Sequence, residues 1–326
     1  MASKLKKVGG LKVVKKGKFS DGGSGYILEN GVEVVDTFAE MFGMWVGRIL
    51  ITAKNEKWAN IAAGTACGFA SSIIMSPAEA GIECFVPAKE TPDKRPGVLI
   101  QLYHRTRPEL KNQMILRIGQ CVMTCPTTTA FDALPDAKRR LKVGWSLRLF
   151  GDGFQELETR HNRSMWRIPV MEGDFRVEER FGVSKAIAGG NFIIMAEDAA
   201  TGLEAAESAV AAIRERPSGV ITPFPGGVCR SGSKAGSMNY KLKASTSHVF
   251  CPRLKGLVEN SEVPKAVDAV YEIVINGLNE ESIRNAIAKG ISASVKVPGV
   301  LRITAGNYGG RLGPYHVYLK DVLKLT

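Results

Sequence analysis

The sequence predicts an α+β protein built from two split βαβ lobes related by internal duplication, and three observations predict it. Arg48-Ile-Leu-Ile-Thr-Ala53 answers Asn191-Phe-Ile-Ile-Met-Ala196 at an offset of 143 (191 − 48), and the same offset pairs Val34 with Val177 and Phe38 with Phe181. Each hexamer is apolar and continuous, as a buried strand is, and a helical period follows it. Each half then repeats the order: a strand ending at proline, a second apolar strand, and a second helix.

In the first half, the helix after Ala53 places Trp58, Ile61, Thr65 and Phe69 on one stripe. Ser72-Ile-Ile-Met-Ser-Pro77 reads as the next strand and Val98–Tyr103 as the one after it. Pro108 then suits the first turn of a helix that turns Leu110, Met114, Ile118 and Cys121 inward. In the second half, Leu203, Ala206, Val210 and Ile213 form the stripe, with Thr201 and Glu204 as a capping box. Gly219–Pro223 and Val270–Asn276 are the strands, and Asn279 caps a helix with Ile283, Ala286, Ile287 and Ile291 inward. A final strand is expected at Val300–Thr304. Asn30-Gly31 signals a hairpin between Tyr26–Leu28 and Val32–Val35. A second is expected about Gly151-Asp152-Gly153, between Trp145–Phe150 and Trp166–Val170. The pattern is ferredoxin-like in each half, and the expected domains are a basic flexible extension at 1–30, an N-terminal lobe at 31–147 and a C-terminal lobe at 148–326. The C-terminal lobe carries an insertion at 230–266, long enough to be functional or disordered.

Composition narrows the function. The chain has 326 residues, 44% hydrophobic and 23% charged, as expected of a globular protein. No apolar run is long enough to span a bilayer, and the basic N-terminus lacks the apolar core of a secretory signal, which argues for the cytoplasm. The six cysteines sit in apolar segments or beside proline and read as reduced thiols. Cys121 and Cys125 have no second Cys or His pair nearby, so neither a zinc site nor a paired cysteine nucleophile is expected. The net charge of +12 is concentrated early, at Lys4, Lys6, Lys7, Lys12, Lys15, Lys16 and Lys18. A loosely docked tail, solvated or touching an acidic partner, is expected, since no aromatic–basic motif points to nucleic acid.

The candidate chemistry centres on Glu272, the lone carboxylate of Val270-Tyr-Glu-Ile-Val-Ile-Asn276. Strand alternation puts Val270, Glu272, Val274 and Asn276 on one face and Tyr271, Ile273 and Ile275 on the other. Covered on both faces, Glu272 would resist ionisation and suit proton transfer; with one face wet it would be an ordinary surface acid. Arg230-Ser-Gly-Ser-Lys-Ala-Gly-Ser237 is not a Walker A loop, but its hydroxyls and cations suit phosphate or carboxylate groups, or else it is a solvent loop. Phe224-Pro-Gly226-Gly227 allows close backbone approach to a ligand, or makes a turn. Gly189-Gly-Asn191 and Gly306-Asn307-Tyr308-Gly-Gly310 lack the pattern of a dinucleotide fold. Glu79 and Glu83 could share a helix face as surface charge.

Several longer motifs occur in order: Asp36-Thr-Phe-Ala-Glu40, Pro77-Ala-Glu-Ala-Gly81, Gly119-Gln-Cys-Val-Met-Thr-Cys-Pro126, Phe150-Gly-Asp-Gly-Phe-Gln155, Ala188-Gly-Gly-Asn-Phe192, Pro223-Phe-Pro-Gly-Gly227, Tyr271-Glu-Ile-Val-Ile-Asn-Gly-Leu-Asn-Glu280 and Ala305-Gly-Asn-Tyr-Gly-Gly310. From Gly31 onward the chain resembles the formylmethanofuran:tetrahydromethanopterin formyltransferase family. Its wording at Arg230–Lys234 and Cys125–Thr128 is similar to bacterial members, which are subunits of a formyltransferase/hydrolase complex. The resemblance implies two ferredoxin-like lobes and formyl transfer between the methanofuran amine and N5 of tetrahydromethanopterin. It implies these carriers as co-substrates, no tightly bound cofactor or metal, and assembly as a homodimer or tetramer, with hydrolase subunits as further partners. It places the catalytic carboxylate at Glu272. Anionic carrier tails suggest binding roles for Arg230, Lys234 and Arg311, and hydrogen-bonding roles for Ser231, Ser233, Ser245, Thr246, Asn276, Asn191, Asn307 and Tyr308, with Phe224, Gly226 and Gly227 near the ligand. The lysine-rich extension and the basic charge depart from the family pattern. Two rivals remain: a catalytically silent scaffold of such a complex, and an RNA-binding ferredoxin-like protein.

Overall fold

The structure, a computed structural model, describes residues 11–215 and 218–324. It is a mixed α/β protein of two compact units, one taking the chain up to Phe42 and from Ile187 onward, the other Gly43–Ala186. This differs from lobes split at 147/148, because the boundaries fall inside two long strands where composition does not change. The elements run β1 (Val13–Lys18), β2 (Ser24–Leu28), β3 (Glu33–Val35), β4 (Phe38–Thr52), α1 (Glu56–Cys67), β5 (Glu79–Val86), β6 (Gly97–His104), α2 (Arg107–Arg117), β7 (Thr129–Asp132) and β8 (Arg139–Leu141). Then come α3 (Val143–Leu147), β9 (Glu156–Arg160), β10 (Arg163–Val170), β11 (Gly173–Glu178), β12 (Phe181–Ala196), α4 (Ala199–Ile213), β13 (Val220–Ile221), β14 (Ala269–Gly277), α5 (Glu280–Ser294), β15 (Val300–Thr304), β16 (Tyr315–Tyr318) and α6 (Leu319–Val322).

In the Gly43–Ala186 unit, antiparallel pairing gives the order β7-β4-β6-β5, and β7 continues through parallel β11 to β10 and β9. α1 and α2 bury Ala59, Ala62, Ala66, Leu110 and Met114 against Ile49, Ile51 and Ile100. The inward stripe of α1 is therefore alanine, whereas Ile61 is half-exposed and Phe69 is 77% exposed in a left-handed turn. The periodicity weighted large side chains, whereas the fully buried positions of α1 are alanines, with Trp58 and Cys67 packed at the cluster's edge. Ser72–Pro77 is no strand: Met75 and Ser76 donate back to the Ser72 carbonyl in a turn, and β5 begins at Glu79. Glu83 is consequently interior, not surface charge. Its carboxylate accepts two 2.7 Å bonds from Arg48 and one of 2.7 Å from Gln101. The expected hairpin about Gly151–Gly153 is replaced by α3 with a following 3-10 turn. The hairpins are β9–β10 at His161-Asn162, both left-handed, and β10–β11.

The other unit repeats the plan, in the order β15-β12-β14-β13. N-caps Asn55 of α1 and Asp198 of α4 keep the 143 offset (198 − 55), and Asp198, rather than Thr201, is the cap that accepts from Thr201 N. Asn279 caps α5 in a capping box with Ser282. Ile273 and Ile275 meet α4 and α5 through Ala206, Val210, Ile283 and Ile287, while Leu203 turns half outward. The opposite sheet face is covered by the insertion and the residue that follows it, Phe250, Val263 and Val267 packing on Ile193, Met195 and Val270. An antiparallel sheet ordinarily leaves that face wet. Here both faces are dry.

Residues 11–30 are not a free extension. Lys4, Lys6 and Lys7 lie outside the described residues, but β1 pairs with β2, β2 with β3, and β3 runs parallel to β15. Lys12 bonds Glu29 at 3.2 Å, and Lys16 bonds Asp36 at 2.8 Å, so the chain supplies the acidic partner itself. No helix among the described residues is long and apolar enough to cross a membrane. Two substitutions test this packing by chemical denaturation. Arg48→Met strands the Glu83 carboxylate in the interior and costs about 3 kcal/mol. Asn279→Ala removes one cap of α5 and costs about 1 kcal/mol.

Candidate active site

β14 carries Glu272, and its backbone exchanges two hydrogen bonds with Cys229, at 2.8 and 3.0 Å. This laces the start of the insertion to the strand. The chain then turns at Gly232, whose φ of 74° is left-handed; a Cβ there would lie 2.0 Å from Ser247 Oγ. Only glycine fits. The turn brings Ser233 back over β14, where its backbone N and its Oγ each stand 2.7 Å from a Glu272 carboxylate oxygen. Glu272 is 7% exposed. Burial pushes its pKa up, the two Ser233 bonds oppose that, and the net shift is upward. A hydroxyl donates or accepts, so the Ser233 Oγ contact persists whether or not the acid holds its proton.

Beside the carboxylate is a cavity of about 80 Å³, lined by Ile193, Cys229, Ser231, Thr246, Phe250 and Glu272 among others. Arg230 stands exposed at its wall. The Cys229 thiol is pushed up to about 11 by burial and by the charge of Glu272, so at neutral pH it is a protonated wall rather than a nucleophile. Next to Ser233, Lys234 Nζ donates to Ser245 Oγ at 3.1 Å and lies 3.1 Å from His248 Nδ1. Ser245 Oγ in turn donates to the Gly236 carbonyl. Ala235 N donates to Tyr308 Oη at 2.8 Å, so the Gly306–Gly310 loop holds the insertion one residue beyond Lys234.

The structure thus brings together Glu272, Arg230, Ser231, Ser233, Lys234, Ser245, Thr246 and Tyr308. It places the other sequence-predicted residues elsewhere. Asn191 fastens Gly189 and Gly306 through three bonds, Asn276 accepts from Gly189 N, and Asn307 donates to Thr37 and Phe38. These amides fill their hydrogen bonding with the fold. Phe224, Gly226 and Gly227 stand at a 3-10 turn away from the cavity wall, and a Cβ on Gly227 would meet Thr222 Oγ1 at 2.7 Å, so the glycine serves that turn. Arg311 Nε donates to the Tyr308 carbonyl.

Sequence reasoning missed His248 and Glu40. His248, one of only four histidines, falls within the insertion, which was signal enough. Glu40 carries the very mark that singled out Glu272, a carboxylate inside an apolar strand. It is buried and accepts from the backbone N of Tyr308, Gly310, Leu312 and Gly313. Burial alone would raise its pKa, but these four donors together outweigh burial and lower it. Among the described residues no group of three His, Cys, Asp or Glu is placed to hold a metal ion.

This chain belongs to the formylmethanofuran–tetrahydromethanopterin formyltransferase family. The family profile matches residues 27–170, and the profile of its proximal lobe matches residues 173–322. A formylmethanofuran–tetrahydromethanopterin formyltransferase of Methanocaldococcus jannaschii is 54% identical, over 90% of this chain and 99% of its own. The solved formyltransferase of Methanosarcina barkeri superposes with a TM-score of 0.87 at 51% identity, covering 90% of this chain and 99% of that one. A chain of the formyltransferase/hydrolase complex from Methylorubrum extorquens, determined with methylofuran, gives 0.86 at 39% identity, covering 95% and 99%. By identity this chain stands nearer to the two archaeal proteins than to the M. extorquens chain, the reverse of what the wording at Arg230–Lys234 suggested.

Glu40 offers a direct pH test. With its folded pKa below the ordinary 4.5, its stabilising effect is complete above that value and is lost as pH falls through the folded value. Glu40→Gln should abolish this acid limb of the stability curve. At neutral pH it should speed hydrogen exchange at the amides of Tyr308, Gly310, Leu312 and Gly313.

Proposed function

We propose that this chain is a formyltransferase, moving a formyl group between the amine of methanofuran and N5 of tetrahydromethanopterin, with Glu272 as its proton-handling carboxyl. Relatives carrying that activity in their names match 99% of their own length. The observation that carries the mechanism is the dry carboxyl beside a cavity of about 80 Å³. That is a small cavity, roomy enough for a few light atoms but far below the roughly 300 Å³ of a whole small-molecule site. It accommodates a formyl group and a flanking nitrogen, while the bulk of each carrier lies outside, along exposed Arg230, Ser231 and Thr246.

Attack of one amine on the formyl carbon forms a C–N bond and a tetrahedral oxyanion, and collapse breaks the other C–N bond. The attacking nitrogen sheds a proton, the leaving nitrogen gains one, and none is consumed overall. Glu272, which burial biases toward its neutral form, bonds the developing oxyanion and exchanges a proton with the nitrogens, with Ser233 fixing its plane. Arg230 and Lys234 are suited to anionic groups of the carriers. The protein reads as two ferredoxin-like lobes arisen by duplication: β7-β4-β6-β5 and β15-β12-β14-β13 are the same split βαβ order. Its six free cysteines fit a cytoplasmic protein. Contact with hydrolase subunits accords with the formyltransferase/hydrolase complex that contains the M. extorquens relative, and assembly as a homo-oligomer is part of the same reading.

Glu272→Gln keeps the shape and removes the titration. It should lower formyl transfer by about a hundredfold to ten-thousandfold while binding the carriers nearly as before. Near-normal turnover with purified formylmethanofuran and tetrahydromethanopterin would sink the assignment. The same variant tests the pKa. A raised acid destabilises the fold as pH climbs through its folded value, so wild type should lose stability there and Glu272→Gln should not.

A further inference from the structure

Loop 235–244 of the insertion rises from the rim of the Glu272 cavity. Ser231 and Gly232, which lead toward it, and Thr246 and Ser247, which lead away, all line that cavity. The two legs touch where a Cβ on Gly232 would lie 2.0 Å from Ser247 Oγ. Above that contact an antiparallel bridge joins Ala235 to Ala244, and Gly236 N donates to the Lys243 carbonyl at 2.7 Å. Ser245 Oγ donates to the Gly236 carbonyl at 2.7 Å, and Ala235 N to Tyr308 Oη at 2.8 Å. At the far end Tyr240 N donates to Ser237 Oγ at 3.3 Å. The loop is therefore braced at its root and closed at its tip.

The tip is apolar and open. Met238, Tyr240 and Leu242 are 73%, 74% and 56% exposed, three large apolar side chains on alternate positions of one short loop. Single apolar residues on a surface need no explanation, but a group of them on one loop marks a contact surface. The cavity below indicates the occupant. At about 80 Å³ it admits only the reacting atoms, so on the formyl-transfer reading the body of each carrier lies above the rim. Each body carries a flat ring, a furan in one and a pterin in the other, and such rings pack on an aromatic face. Tyr240 is six residues (246 − 240) from Thr246 on the cavity wall, a reach of at most about 22 Å along the chain. We propose that this tip is the recognition surface for the body of a carrier, its ring lying on Tyr240 with Met238 and Leu242 beside it. The formyl-transfer reading supplies the identity of the ligand, and the exposed tip on the cavity rim supplies the place.

Isothermal titration of the full-length chain with formylmethanofuran and with tetrahydromethanopterin tests the surface, alongside steady-state transfer. Tyr240→Ala should weaken binding of at least one carrier and raise its KM about tenfold, as loss of one stacked ring does, with kcat nearly unchanged. Tyr240→Phe keeps the ring and should retain wild-type affinity, while Met238→Ala combined with Leu242→Ala should give a smaller loss. The carrier whose KM moves is the one the tip reads. Carrier binding that responds in this way without any formyl transfer by wild type would sink the transfer reading and leave the recognition surface standing. Transfer with affinity for both carriers unchanged in Tyr240→Ala and in the double variant overturns the surface and leaves the transfer reading. Loss of affinity that accompanies a changed oligomer in light scattering overturns it as well, because the tip would then be a subunit contact. Absence of carrier binding by wild type overturns both. The three side chains are exposed, so thermal unfolding of the variants should match wild type.

Discussion

The candidate site depends on one constraint: a sheet face that antiparallel strands ordinarily leave wet is kept dry. The insertion achieves this by laying Phe250 and Val263, with Val267 just beyond it, on Ile193, Met195 and Val270. Without that cover Glu272 would ionise in water as any exposed acid does, and the Ser233 bonds would add little. With it, desolvation dominates, and the carboxyl is biased toward the neutral state that proton transfer requires at ordinary pH. The insertion thus supplies the dielectric as well as the polar groups. Gly232 permits both, since only a residue without a Cβ lets the chain pass Ser247 closely enough to aim Ser233 at the strand.

The shared strand order of the two units, with unequal loops, explains why the candidate site lies in only one of them. Ile193 pairs with Glu272 across β12 and β14, and the residue 143 earlier, Leu50, pairs with Leu99 across β4 and β6. Leu99 therefore holds the position equivalent to Glu272. It lies in an apolar cluster with Leu50, Phe131 and Met165, where a carboxylate would have no donor comparable to Ser233. The connection between the second and third strands of the first repeat is short, β5 ending at Val86 and β6 beginning at Gly97, whereas β13 and β14 are separated by the whole insertion. Identical topology with unequal loops is sufficient for one repeat to become a site and the other to keep a plain core.

What was legible in the sequence follows from what periodicity measures. The β4/β12 match, the alternation about Glu272, the inward residues of α5 and its Asn279 cap were all readable, because each depends on local spacing. The inward stripe of α1 was not: size favours Ile61 and Phe69, but the positions that the fold turns fully inward carry alanines, which give a hydrophobic period no strong signal. Ser72–Pro77 imitates a strand because three apolar residues in a turn look the same as three in a sheet. Asn191, Asn276 and Asn307 were legible as important polar residues, yet whether an amide meets a ligand or a backbone carbonyl is decided by chain segments far away in sequence. Cys229 facing Glu272 belongs to the same class, since an isolated bridge between distant segments leaves no periodic trace.

Two interior carboxylates of the same unit show how environment divides one chemical type into two roles. Glu40 receives four backbone N–H groups, and these stabilise its charge by more than burial opposes it. Glu272 receives two donors, both from Ser233, and burial prevails. The first is thereby biased toward its anion, fit to clamp a loop. The second is a titrating acid, fit to exchange a proton. They are joined through the chain itself, for Glu40 fixes the backbone of Tyr308, and the Tyr308 hydroxyl holds Ala235 two residues beyond Ser233. The anion favoured at one end of this linkage holds the loop whose tyrosine fixes the backbone beside the Glu272 donors at the other.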